Sequence, residues 1–168
     1  MVTGDDDDRY LVVDGRRWRR SDPAIPPTLR QELVDELMAA RRAVKAADAD
    51  DATAAARARV GDAKRALGER GRPWWEETGP ADRADRLRAA VLALSRHRAP
   101  ATICPSDAAR VAGGEAWRDL MPDAREVARE LARAGDVEVL QKGSPVDPGR
   151  PWTGPVRIRL LAEGAERR

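Results

Sequence analysis

Two stretches of this sequence carry side chains spaced to recognise phosphate. Arg125, Arg129 and Arg133 recur every fourth residue, so on a helix they project from one side. Lys142, Arg150 and Trp152 follow in a segment rich in proline and glycine. Guanidinium groups on an outer helix face, with further cations on an adjoining loop, suit contacts to phosphates and guanine edges. Glu126 and Glu130 lie beside the stripe, however, and Asp119 and Asp123 lie near its start. Glu–Arg pairs three or four residues apart are also an ordinary way to solvate a helix. The second stretch is Arg16-Arg17-Trp18-Arg19-Arg20. Four arginines around a tryptophan read either as a phosphate-contacting ribbon with a stacking platform, or as an edge strand kept soluble by charge, with Trp18 tucked onto neighbouring helices.

Catalytic chemistry is poorly provided for. There is one cysteine, Cys104, and one histidine, His97, which excludes an intrachain disulfide and a Cys/His zinc site within one chain. Cys104 precedes Pro105 at a helix start, where a thiolate would be favoured, but a small packed hydrophobe is the better reading of the position. His97 sits between Arg96 and Arg98 at a helix end, the place for a dipole partner. Ser95 and Ser106 have no base nearby in sequence, and neither a Gly-x-Ser-x-Gly nor a phosphate-loop pattern occurs. The expectation is a binding protein, not an enzyme, with no cofactor and no metal.

The chain has 168 residues, 36% of them charged, and a net charge of only +2. Residues 1–79 carry 15 basic against 16 acidic side chains, and residues 80–168 carry 16 against 13. The second half is therefore the mildly basic one, which permits nucleic-acid binding without demanding it. No apolar run approaches the roughly 20 residues of a membrane helix. The start, Met-Val-Thr-Gly-Asp-Asp-Asp-Asp, is acidic where a leader would be basic and then apolar. The reading is a cytoplasmic protein with no membrane partner.

The elements that must position these residues follow from periodicity. Residues 1–8 read as a disordered acidic tail. Tyr10–Val13, the Asp14-Gly15 turn and Arg16–Arg20 read as a β-hairpin. Leu29, Leu33, Leu37, Ala40, Val44 and Ala47 form one helical stripe, and Ala52, Ala56, Val60, Ala63 and Leu67 form a second. These predict an antiparallel αα-hairpin, whose small core needs a cover: the β-hairpin, Trp74 and Trp75, or a second copy of the chain. Residues 73–80 read as a linker. Beyond it the pattern predicts helices over 82–98, 106–112 and 122–134, with Thr102-Ile103-Cys104 long enough for a single β-bridge. A helical turn at 115–121 and alternating strands at 137–142 and 156–160 complete it. That order is a winged helix-turn-helix, with residues 143–155 as the wing. The fold class is α+β: an N-terminal β-hairpin plus antiparallel helical hairpin over 9–72, then a winged helix-turn-helix domain over 81–162, and a frayed tail over 163–168.

The segments Thr102-Ile103-Cys104-Pro105-Ser106, Trp117-Arg118-Asp119-Leu120-Met121-Pro122 and Val139-Leu140-Gln141-Lys142-Gly143, closed by Gly154-Pro155-Val156-Arg157, resemble the bacterial domain-of-unknown-function family numbered 3253. The resemblance spans roughly Leu87 to Leu160 and implies a winged-helix-like fold, with no catalytic residues to carry over. The N-terminal part is similar to small actinobacterial proteins labelled "biopolymer transporter Tol". The similarity runs from Tyr10-Leu11-Val12-Val13-Asp14-Gly15-Arg16-Arg17-Trp18-Arg19 through Ala66-Leu67-Gly68-Glu69-Arg70-Gly71 to Pro73-Trp74-Trp75-Glu76. No segment here matches the membrane role that label implies.

The sequence thus leads to nucleic-acid binding, foremost to double-stranded DNA, through Arg125, Arg129, Arg133, Lys142, Arg150 and Trp152, with modest, salt-sensitive affinity. The alternative is a protein-interaction module whose adhesive surface is Trp152 or the helical hairpin, the latter also a candidate homodimer contact.

Overall fold

The computed structural model describes residues 4–162. Helix α1 (Gly4–Arg9) leads into strands β1 (Tyr10–Val13) and β2 (Arg16–Arg19), paired antiparallel with Leu11 opposite Trp18 and Val13 opposite Arg16. Asp14 and Gly15 both take positive φ, at 50° and 74°, as the type I′ turn expected there requires. The acidic start, read as disordered, enters the fold from Gly4 as α1. The hairpin ties it down: Arg20 donates to the Asp7 and Tyr10 carbonyls, and Arg17 lies 3.6 Å from the Asp6 carboxylate. Residues 1–3 of that tail, and the expected frayed end at 163–168, lie outside the described residues.

Helices α2 (Pro27–Ala46) and α3 (Asp50–Ala66) form the expected αα-hairpin. One cover of this pair is an element that the sequence reading did not name. It is α4 (Pro80–Arg98), the first helix after the segment read as a linker. Leu87, Ala89, Ala90, Val91, Ala93, Leu94 and Ser95 of α4 are all buried, so this helix is apolar around much of its circumference. One side meets Leu29, Leu33 and Leu37 of α2 together with Ala63 and Ala66 of α3, and the other belongs to the C-terminal half, within a single cluster of buried residues. Three arginines of α4 carry ion pairs along this seam. Arg86 reaches Asp22 at 2.9 Å, Arg96 reaches Asp62 at 2.6 Å, and Arg98 reaches Glu32 at 2.8 Å and Asp107 at 2.9 Å. The two halves therefore share one core, and residues 73–80 join elements that are already in contact.

The C-terminal half continues with α5 (Pro105–Gly113), a 3₁₀ segment (Gly114–Leu120) and α6 (Met121–Ala134). Strands β3 (Val137–Gln141), β4 (Ser144–Pro145) and β5 (Arg157–Leu160) make a sheet of order β4-β3-β5, with Val139 opposite Ile158. Ile103 forms the isolated bridge to Ile158 that the short 102–104 segment predicted. Ala124, Val127, Ala128 and Leu131 are buried on α6, an apolar face with the helical period. Gly135, at φ 84°, closes the helix in the left-handed conformation. The architecture is thus mixed helix and sheet, with two small antiparallel sheets.

The segment 143–155, the expected wing, is not a loop throughout. Its first residues instead form β4, because Lys142 and Gly143 both take positive φ and reverse the chain tightly onto β3. The remainder folds back over the sheet and α6. Val146 N–H donates to the Val139 carbonyl, the Trp152 indole N–H donates to the Asp147 carbonyl, and Trp152 and Val156 are buried.

Candidate functional site

The six residues singled out on α6 and its following loop divide into two groups. Arg125 donates from Nη2 to the Trp152 carbonyl at 2.9 Å and from Nη1 to the Gly154 carbonyl at 3.2 Å. Arg129 donates from Nη1 to the carbonyls of Pro148 at 2.8 Å and Arg150 at 2.7 Å. Its guanidinium lies 4.1 Å from the Trp152 ring centroid, and its Nε lies 3.4 Å from Glu126. The planar fork of arginine satisfies carbonyls that a loop rich in proline leaves without strand partners. The structure therefore does bring Arg125, Arg129 and Trp152 together, but as the fastening of the loop onto α6. Trp152 is a buried plug and not an exposed wing tip, because Arg129 stacks on it and the core receives its ring.

Arg133, Lys142 and Arg150 remain exposed. Arg150 faces Asp147 at 3.7 Å. Exposed carboxylates accompany them: Asp123, Glu126 and Glu130 on α6 and Asp136 just after it. Glu130 also lies 3.8 Å from Arg88. The outer side of α6 is thus a surface of mixed charge, with two of its three arginines already bonded.

A different surface gathers cations without neutralising them. Arg41, Val44 and Lys45 of α2 face Arg57 and Val60 of α3, with Arg70 from the turn beyond α3, around a groove of about 470 Å³. No carboxylate among the described residues forms an ion pair with Arg41, Lys45, Arg57 or Arg70. Helical geometry explains the assembly. Arg41 and Lys45 are four residues apart and so share one side of α2, and the short 47–49 connection returns α3 antiparallel beside it. Glycine at position 61 adds to the crowding: a Cβ there would meet Arg65 Nη1 at 3.1 Å and Arg70 Nη1 at 3.4 Å, so both guanidinium tips lie over that point of α3.

Lys64 shows the electrostatic consequence. Burial, and then the nearby Arg41 and Arg70, push its ammonium below the usual lysine pKa, with Glu69 opposing. Unneutralised positive charge held at close quarters disfavours one more proton. Arg59, also on α3, behaves in the opposite way: its hydrogen bonds to the buried Glu36 raise its pKa above the usual arginine value.

The β-hairpin borders this basic surface. Trp18 is 42% exposed, with Lys64 Nζ at 5.1 Å and the Arg16 guanidinium at 5.9 Å from its ring centroid. The other arginines of the hairpin are engaged. Arg19 donates to the Gly71 carbonyl at 2.8 Å, and Arg17 lies 4.0 Å over the Tyr10 ring. Tyr10, Trp74 and Trp75 stack edge to face, with Trp74 donating its indole N–H to the Arg20 carbonyl. Trp74 and Trp75 thus join the hairpin to the end of α3. Sequence reasoning missed Arg41, Lys45, Arg57, Lys64 and Arg70. The available signal was the excess of 15 basic over 10 acidic residues across 9–72, hidden by the aspartates at 5–8.

Residues 84–161 match the family model described as a protein of unknown function (DUF3253). No match was found among curated proteins. Among the described residues no helix is long and apolar enough to cross a membrane.

Proposed function

We propose that this protein binds nucleic acid through the phosphate backbone, and that the contact surface is the α2–α3 groove of Arg41, Lys45, Arg57, Lys64 and Arg70. The observation that carries this reading is a run of cations without ion pairs in a chain where ion pairs are otherwise common. At least ten of the remaining arginines (Arg17, Arg59, Arg72, Arg86, Arg88, Arg96, Arg98, Arg129, Arg150 and Arg159) lie within 4.0 Å of a carboxylate. A groove of cations and two valines also lacks the convergent acceptors that orient a small molecule, whereas a polyanion needs only the charge.

The C-terminal half serves in this reading as a winged-helix scaffold. Its order supports that assignment: α4, the Ile103 bridge, α5, α6, then β3 and β5 with the bridge closing on Ile158. The docking of a double helix on α6, expected from the arginine stripe, would rely on Arg133, Lys142 and Arg150, since Arg125 and Arg129 hold the loop. The exposed Val12, Val13 and Met38 favour a protein partner as the second reading.

The test is an anisotropy titration of a labelled random duplex across salt concentrations. If five cations neutralise phosphates, the slope of log K against log salt is about −4.5, and affinity falls by about 500-fold between roughly 50 and 200 mM salt. Charge reversal in Arg41→Glu/Arg57→Glu removes at least two of those contacts and reduces the slope by about 2. No binding at tens of micromolar in low salt, or a double variant indistinguishable from the parent chain, would reject the proposal.

A further inference from the structure

We infer that the exposed face of the β1–β2 hairpin is a stacking platform for unpaired bases, so that the preferred ligand of the basic groove is single-stranded nucleic acid. This rests on the backbone-binding reading above and adds the class of strand. Trp18 supplies the argument. The chain buries Trp152 to 9% exposure and ties Trp74 and Trp75 into an aromatic cluster with Tyr10. Trp18 instead keeps 42% of its surface in solvent, with Val13 on the same hairpin face also half exposed.

Its location connects it to the phosphate surface. Lys64 lies 5.1 Å from the Trp18 ring centroid, and it follows Val60, which lines the groove, by one turn on the same side of α3. An aromatic ring and a track of cations are thus contiguous through one side chain. Every base offers a π face, so such a pair recognises strands independently of sequence, provided the bases are unpaired. A double helix keeps its bases stacked on one another and offers Trp18 nothing comparable. Arg16, at 5.9 Å from the ring and exposed, is held weakly enough for a base to displace it, and its charge would then face the adjoining phosphate.

The experiment uses the full chain with three fluorescein-labelled probes: an oligothymidylate of about 20 nucleotides, an abasic strand of the same length and a duplex of the same length. The parent chain should bind oligothymidylate more tightly than the abasic strand. Trp18→Ala should weaken oligothymidylate binding about 5- to 150-fold, while abasic and duplex affinities change less than about twofold. Trp18→Phe, which keeps a π face, should recover most of the loss, separating stacking from damage to the hairpin. Equal binding of oligothymidylate and the abasic strand, or Trp18→Ala binding oligothymidylate as the parent chain does, would overturn the inference while leaving backbone binding intact. That is also the outcome expected if the hairpin serves a protein partner. Failure of all three probes to bind at low salt would overturn both readings together.

Discussion

Replacing Arg129 by lysine separates fastening from ligand contact. The substitution keeps the charge and removes the planar fork. The structure gives Arg129 two hydrogen bonds to loop carbonyls at 2.8 and 2.7 Å, a place 4.1 Å over the Trp152 ring, and a side chain only 17% exposed. A hydrogen bond from a charged donor contributes about 1.5–3 kcal/mol, and the cation–π contact adds about 0.5–1 kcal/mol. A lysine keeps one of the two hydrogen bonds at best. The expected loss is therefore about 2–4 kcal/mol, felt first as local opening of residues 146–155. Exchange of the Trp152 indole proton, which the Asp147 carbonyl holds at 3.0 Å, is the direct assay. Its protection should drop about 30- to 900-fold, with nucleic-acid affinity unchanged within about twofold. A phosphate-contacting Arg129 predicts the reverse pattern. Arg129→Lys would keep indole protection, and Arg129→Ala would reduce the salt slope on duplex by about 0.9. That second pattern would refute the assignment of Arg129 to the loop.

Two further outcomes follow from the core. Glu36 is 2% exposed and bonded to Arg59 at 2.8 and 3.0 Å. Arg59 has its pKa raised by that partner, so its contribution is complete below the ordinary arginine pKa and constant through the physiological range. Arg59→Met leaves a buried, unpaired carboxylate and should cost about 3–5 kcal/mol at neutral pH in urea unfolding. A variant whose urea midpoint matches that of the parent chain would contradict that assignment. A chain ending at Gly79 deprives Leu29, Leu33 and Leu37 of their cover on α4 and should lose cooperative unfolding and much of its helical circular dichroism. A sharp thermal transition in that fragment would show that the αα-hairpin is self-sufficient.

Local elements were legible in the sequence because their causes are local. The Asp14-Gly15 turn depends on backbone chemistry within the turn itself, and the stripes of α2 and α3 on side chains three or four residues apart. The buried stripe of α6 was legible for the same reason, since Ala124, Val127, Ala128 and Leu131 carry the helical period on their own. The opposite face of α6 was not. An arginine spaced for phosphate and an arginine spaced for a loop carbonyl have the same sequence signature, and the partners of Arg125 and Arg129 lie 19 to 29 residues away.

Charge shows the division most clearly. The sequence by itself determines how many cations each half carries, and that count pointed to the C-terminal half. Tertiary structure decided which of them are neutralised. Arg86, Arg96 and Arg98 are consumed in joining the halves through Asp22, Asp62 and Glu32, and Arg125 and Arg129 in holding the loop. Arg41, Lys45, Arg57 and Arg70 meet around the α2–α3 groove, and no carboxylate among the described residues forms an ion pair with them. Helical period places a residue on a face, but only packing brings a second face to it, and an electrostatic surface is a property of the pair.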